Sequence, residues 1–187
     1  MQNKLVIIEN LKNLSKLLPV KKIQLFNSEI ILICRSKNIL EILIFFKNNI
    51  LCQFKVLTCI SGVDYPQNRY RFKIVYELLS VRYNSRLKIV LFIDELTGIE
   101  SVSNIFSAAD WYECEIWDMF GVFFKNHKNL KRILTDYGFE GYPLRKDFPL
   151  SGFIEMKYSE KKKRVVSESI ELSQEYRAFK FVSPWKN

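Results

Sequence analysis

The sequence predicts an α+β fold: a mostly antiparallel sheet with helices packed on one face, followed by a long extended C-terminal arm. Apolar residues alternate along several segments joined by short turns, and short links favour antiparallel pairing. Helical periodicity occurs in only a few segments, which is typical of α+β proteins. Beyond Gly121 neither period continues. We therefore expect a core domain over residues 1–121 and an extended arm over residues 122–187.

The first elements follow the order α-β-β-α. Leucine and isoleucine recur every three to four residues up to Pro19, which predicts an N-terminal helix that ends there. Two apolar segments, 22–26 and 29–35, flank a polar turn and predict a hairpin. Ser36 is expected to cap the next helix. The apolar residues of that helix are Ile39, Leu40, Ile42, Leu43 and Phe46.

Three strands follow. Residues 53–66 alternate and then end in glycine and proline, residues 69–83 form a long strand, and residues 86–95 return after an Asn-Ser turn. Alternation places the following residues on one side of the long strand: Tyr70, Phe72, Ile74, Tyr76 and Leu78. We expect these aromatic side chains to line the core beneath the helices.

Two helices are predicted after the strands, over residues 101–106 and 108–121. Asp110 is expected to cap the second helix. Gly121 is expected to end it in the left-handed conformation, which glycine adopts without steric cost.

Composition limits the classes of function. The formal net charge is +9, and two dense basic runs occupy residues 125–132 and 160–164. Such an excess suits nucleic acid, an anionic membrane surface or an acidic protein partner. No apolar run approaches the roughly 18–20 residues that a membrane-spanning helix needs. The spacing of the cysteines favours neither a zinc ribbon, nor a redox pair, nor a four-cysteine iron–sulfur site; they are Cys34, Cys52, Cys59 and Cys114.

Three carboxylates in the second predicted helix are the first candidates for chemistry. Glu115 and Asp118 are three residues apart and share a face, whereas Glu113 lies about 200° around the helix from Glu115. Because the three do not converge, we interpret them as structural carboxylates that fix arginine or backbone partners. His127 is the only histidine, and no glycine-rich phosphate loop is present.

Residues 135–150, TDYGFEGYPLRKDFPL, combine turn-formers with aromatic and charged residues. Glycine and proline deny the segment a regular element, and its aromatic residues are anchors of the kind that dominate interfaces. We interpret it as an arm whose order comes from docking. Its candidate structural or interface residues are Phe139, Gly141, Pro143, Arg145, Lys146 and Asp147, with Arg145 and Asp147 expected in ion pairs.

Residues 111–158 resemble the signature of the thirty-kilodalton (NuoC-type) hydrophilic subunits of respiratory complex I, in their mitochondrial form. The family pattern E-R-E-x-W-D-M-F-G is met by Glu113, Glu115, Trp117, Asp118, Met119, Phe120 and Gly121. The later pattern G-x-P-L-R-K-D is met by Gly141, Pro143, Leu144, Arg145, Lys146 and Asp147. Three positions depart from the family: Cys114 stands for Arg, Lys128 for Pro and Tyr142 for His.

The resemblance implies a non-catalytic core subunit in the quinone module of the peripheral arm of NADH:ubiquinone oxidoreductase. Such a subunit lies on the matrix side of the mitochondrial inner membrane, peripheral to it. It packs against the forty-nine-kilodalton-type subunit and near the subunit with the terminal iron–sulfur cluster. No cofactor is implied in this chain, because FMN and the iron–sulfur clusters belong to partner subunits.

Three alternatives stay open at the level of sequence. The first is a plastid or bacterial homologue in a related quinone oxidoreductase. The second is a free-standing basic nucleic-acid-binding module that presents Tyr70, Phe72 and Tyr76 on an exposed sheet. The third is an enzyme that uses the carboxylates of the second predicted helix.

Overall fold

The computed structural model describes residues 16–26 and 29–174, together with Asn13 and Arg177. The predicted N-terminal helix lies mostly outside the described residues, as does the turn between the first two strands. The chain forms two compact units, Met1–Phe148 and Pro149–Asn187.

The first unit is built on a five-stranded sheet whose strand order is β1-β2-β5-β4-β3. Its strands are β1 (Val20–Phe26), β2 (Glu29–Cys34), β3 (Val56–Asp64), β4 (Phe72–Ser80) and β5 (Ser85–Ile93). Neighbouring strands pair antiparallel except β2 and β5, which pair parallel. The parallel pair arises because a helix and two strands separate β2 from β5, so no tight turn sets their direction. The predicted α+β class with a mostly antiparallel sheet is confirmed.

Two helices, α1 (Ile39–Asn48) and α2 (Ala109–Phe120), bury their apolar faces in the same core as the sheet. A short 3-10 helix, Ser36–Asn38, precedes α1. The capping prediction for Ser36 is wrong, since neither this turn nor α1 has a side-chain cap.

The region around α2 corrects two further predictions and confirms one. Residues 101–106 form turns and not a helix. Ala108, not Asp110, is the N-cap of α2, and no side chain caps it. Gly121 ends α2 with a φ of 77°, as predicted.

One face of β4 lies entirely in the core. Phe72, Ile74, Tyr76 and Leu78 are at most 1% exposed, whereas Tyr70 precedes the strand and is 49% exposed. The predicted core placement of the β4 side chains is therefore confirmed. The nucleic-acid platform is wrong, because buried Phe72 and Tyr76 rings offer no surface on which bases stack.

Four short strands complete the described structure. In the first unit, β6 (Ile99–Glu100) pairs parallel with β7 (Phe124–Lys125). In the second unit, β8 (Ile154–Ser159) and β9 (Arg164–Ser169) form an antiparallel hairpin. None of the helices in the described part of the chain has the length and apolar character to cross a membrane.

Candidate functional site: the anchor of the 132–148 segment

Helix α2 carries two fully buried carboxylates, and each holds a different loop. Glu113 accepts hydrogen bonds from the Ser101 hydroxyl at 2.6 Å and from the Val102 N–H at 2.7 Å. Burial raises the pKa of Glu113, although these two hydrogen bonds oppose that shift. Glu113 therefore fixes Ser101 and Val102 to α2, and the turn that follows is closed by the Ile105 and Phe106 N–H groups, which both donate to the Val102 carbonyl at 2.9 Å.

Asp118 holds the beginning of the 132–148 segment. Its carboxylate accepts hydrogen bonds from the N–H groups of Ile133, Leu134 and Thr135, at 2.8–3.2 Å. The Thr135 hydroxyl donates at 2.6 Å and the Arg132 guanidinium at 3.3 Å. Burial opposes the charge of Asp118, but these donors outweigh it and hold the pKa of the carboxyl below its usual value.

The three candidate carboxylates of α2 therefore do not form a catalytic group. Glu113 and Asp118 have no exposed surface and are occupied by backbone donors, while Glu115 points to solvent. A carboxylate pair for acid–base work must reach one substrate together. The arrangement accordingly gives no support to an enzyme based on these carboxylates.

A series of contacts between arginine and aromatic side chains joins the 132–148 segment to the start of β4. The Tyr142 ring contacts two guanidiniums, that of Arg132 at 5.0 Å and that of Arg145 at 4.5 Å. Arg145 also lies 5.2 Å from the Phe72 ring, and Arg71 lies 5.4 Å from the same ring. We call these five residues the cation–π ladder. Each such contact contributes about 0.5–2 kcal/mol, depending on its exposure.

Arg71 joins three carboxylates at the end of the ladder. It bonds Asp64 through two nitrogens at 2.7 and 2.9 Å, Glu95 at 2.6 Å and Asp147 at 2.9 Å. The hydrogen bond to Asp64, followed by that to Asp147, raises the pKa of Arg71. Burial opposes ionisation of Asp64, but Arg71 and the Lys146 N–H lower the pKa of Asp64 overall.

The candidate ion-pair residues Arg145 and Asp147 thus meet partners within their own unit. Arg145 donates to the Phe120 carbonyl at 2.7 Å and lies 3.6 Å from Glu95. Asp147 pairs with Arg71, and the Lys146 N–H donates to Asp64 at 2.8 Å. The sequence pattern did not single out Arg71 or Asp64, because Asp147 is 76 residues from Arg71 and Lys146 is 82 residues from Asp64.

At two glycines of this region, the neighbouring side chains leave no room for a Cβ atom. A Cβ on Gly121 would lie 2.6 Å from the Tyr142 ring, and one on Gly141 would lie 2.8 Å from Phe148. Both residues also have positive φ, at 77° and 95°, a region that residues with side chains rarely adopt.

The remaining candidates lie around the same segment. Trp117 packs edge-on to Phe123 and Tyr142 at 6.1 and 6.0 Å. Phe139 contacts Phe148 at 5.9 Å, and Pro143 is half-buried.

Two of the three residues that depart from the family pattern make specific contacts with neighbouring side chains or backbone. Tyr142 is the middle of the cation–π ladder. Cys114 is buried, with its thiol 3.5 Å from the Asn129 carbonyl and 4.0 Å from the His127 ring. Lys128 is exposed.

The chain matches the family described as "Respiratory-chain NADH dehydrogenase, 30 Kd subunit" over residues 32–154, which is more than half of its length. It belongs to this family. The match confirms the resemblance predicted from residues 111–158, and it favours neither a free-standing nucleic-acid-binding module nor a self-contained enzyme.

Several proteins with curated names are similar to the chain. NADH-ubiquinone oxidoreductase subunit 9 of Reclinomonas americana is 53% identical over 158 residues, which cover 84% of this chain and 78% of that protein. NADH dehydrogenase [ubiquinone] iron-sulfur protein 3 of Beta trigyna is 57% identical over 146 residues, covering 78% of this chain and 76% of the relative. Its Arabidopsis thaliana namesake is 56% identical over 146 residues, covering 78% and 77%.

A solved structure shares the fold of this 30 kDa family member. A chain in the membrane-bound sulfane sulfur reductase, an archaeal respiratory membrane complex, superposes with a TM-score of 0.68. The alignment covers 90% of this chain and 98% of the archaeal one at 24% identity.

Proposed function

We propose that the chain is a non-catalytic core subunit of the quinone-reducing module in the peripheral arm of proton-pumping NADH:ubiquinone oxidoreductase. It works on the matrix side of the mitochondrial inner membrane, peripheral to the bilayer. The observation that carries this proposal is the family match over residues 32–154, together with relatives of more than 50% identity named as subunits of that oxidoreductase. We propose an architectural contribution, because its buried carboxylates and arginines hold its own segments together.

The β8–β9 hairpin supports a docking role for the C-terminal unit. Ile154, Met156 and Tyr158 alternate along β8, and Val165 lies opposite Tyr158 on β9, so the four side chains share one face. All four are more than half exposed. An isolated two-stranded sheet is marginally stable in water and needs a surface to pack against. We infer that this unit docks on neighbouring subunits, chiefly the forty-nine-kilodalton-type subunit and the subunit with the terminal iron–sulfur cluster.

The name of some relatives, iron-sulfur protein 3, raises the question of a cluster in this chain. Iron–sulfur clusters are held by thiolates, whereas burial raises the pKa of Cys34 to about 12 and that of Cys52 to about 11. Across residues 29–174, no three His, Cys, Asp or Glu side chains come together as a metal-binding group. These observations support our proposal that FMN and the clusters reside in partner subunits.

Purification of the native respiratory complex tests the function. Mass spectrometry is expected to find the chain in the complex, and a Met156→Asp variant is expected to incorporate poorly, because it places a charge in the proposed interface. Lys162→Asp, in the β8–β9 turn, is the matched control and should incorporate normally. Normal incorporation of Met156→Asp would refute docking through this face, and absence of the native chain from the complex would refute the function.

A further inference from the structure

The sheet face opposite the two helices carries a continuous apolar row. Ile33, Val90 and Val75 are register neighbours across β2, β5 and β4, and the row ends in Lys22 on β1 and Ser61 on β3. Adjacent strands lie about 4.8 Å apart, so the three apolar side chains span about 10 Å. That width matches the diameter of one α-helix, about 10 Å with its side chains.

Two more apolar side chains extend the row along the strands. Ile31 lies two residues before Ile33 on β2, and Phe92 lies two residues after Val90 on β5, so both share the face. We call the five residues the open-face patch: Ile31, Ile33, Val75, Val90 and Phe92. None of them belongs to the hydrophobic core cluster of the described residues. Phe92 is 39% exposed, whereas Val90 at the centre is only 4% exposed, and Ile31, Ile33 and Val75 are partly buried.

The charged residues around the open-face patch fall into two groups, one paired and one without carboxylate partners among the described residues. Lys88 lies between Glu29, at 3.1 Å, and Glu77, at 3.4 Å, and the hydrogen bond to Glu29 raises the pKa of Lys88. This group therefore has one positive and two negative charges, a net charge of −1, and the three cations named next bring the border to a net charge of +2. Three other cations border the patch on the same face, and no carboxylate of the described residues lies within 4.0 Å of them: Lys22, Lys73 and Arg86.

We propose that the open-face patch binds an amphipathic helix of a partner subunit, with the helix's apolar side on the patch. Aspartate and glutamate residues along the flanks of that helix pair with Lys22, Lys73 and Arg86. The proposal rests on the proposed function, since it requires a multisubunit assembly. The width of the row selects a helix, in the same way that α1 and α2 cover the opposite face.

Charge complementarity separates this occupant from two others. A second copy of the chain would bring the same cations against one another. Residues 1–16 of the chain itself contain three lysines and one glutamate, so they would add positive charge to a positive border. An acidic helix is the occupant that the border favours.

Carbodiimide cross-linking of the intact respiratory complex tests the proposal, because this reagent joins lysine amines to carboxylates in direct contact. We expect Lys22 and Lys73 to link to acidic residues of one helical segment in another subunit. Acetylation of both lysines should also be strongly reduced in the complex relative to the isolated chain. Links to residues 1–16, links to a second copy, or equal acetylation in the two states would each overturn the proposal.

Charge reversal provides the second measurement. The Lys22→Glu/Lys73→Glu variant should incorporate into the complex roughly tenfold less well than the wild-type chain, from the loss of two pairs and the added repulsion. The Lys37→Glu/Lys128→Glu control makes the same charge change at exposed positions away from the patch and should incorporate normally. Equal incorporation of the two variants would overturn the proposed helix-binding role of the patch, but it would leave the proposed function intact. Absence of the wild-type chain from the complex would refute the proposed function itself.

Discussion

Replacing Arg71 with methionine tests whether the ion pairs of Arg71 stabilise the first unit. Arg71 is 11% exposed at its side chain and Asp64 is fully buried, so the substitution leaves a buried carboxylate without its main counter-charge. Breaking one side of a buried ion pair costs about 3–5 kcal/mol. For a chain of this size, that loss lowers the melting temperature by about 6–20 °C.

The assay is thermal and urea unfolding of the full chain at neutral pH. Two comparisons identify the cause. Asp147→Ala removes a partner that is 62% exposed and should cost no more than about 1 kcal/mol. Adding Asp64→Asn to Arg71→Met should recover part of the loss, because it removes the uncompensated charge. A change in free energy of unfolding below about 1 kcal/mol for Arg71→Met would refute the reasoning.

Three further outcomes are expected. In urea unfolding, Gly121→Ala should lower the free energy of unfolding by more than Gly138→Ala does. Both glycines have positive φ, so the left-handed backbone costs each variant about 1–2 kcal/mol. Of the two, only Gly121 has atoms within 4 Å of the new Cβ. Tyr76→Phe should leave stability unchanged or raise it, because the buried Tyr76 hydroxyl has no hydrogen-bond partner among the described residues; a loss above about 1.5 kcal/mol would show that the hydroxyl is bonded. Stability should fall as the pH drops below about 4, because the pKa values of Asp64 and Asp118 are lowered in the folded state. Their contribution is present above the unfolded value and is lost as the pH falls through the folded one, so Asp118→Asn should flatten the acid limb of the stability–pH curve.

Local pattern was enough to predict much of the first unit. Strands β3, β4 and β5 follow from alternation and turn residues, and the end of α2 follows from Gly121. The failures have non-local causes. Turns replace the helix expected over residues 101–106, and their first residues, Ser101 and Val102, donate to Glu113, which lies more than ten residues away in the sequence.

The candidate site was predicted in part. Residues 141–147 were identified from their composition and from the resemblance, but the partners that hold them were not. Arg71 and Asp64 lie at the ends of strands with no unusual local pattern, and only the fold brings them to Asp147. The β8–β9 hairpin was missed because charged and apolar residues mix on its strands, and its apolar face is not paired with a core. Whether these residues also meet other subunits stays a prediction.

The long separation in sequence between the buried acidic residues and their partners has a consequence for how the protein is made. Arg71 leaves the ribosome 76 residues before Asp147, so during synthesis Arg71 and Asp64 must wait for most of the chain before their cluster is complete. Asp118 likewise precedes its backbone donors by 15 to 17 positions. A nascent chain stalled before residue 132 would therefore lack the backbone donors of Asp118 and the later partners of Arg71 and Asp64. We expect chaperones to bind such a chain until residue 147 has emerged.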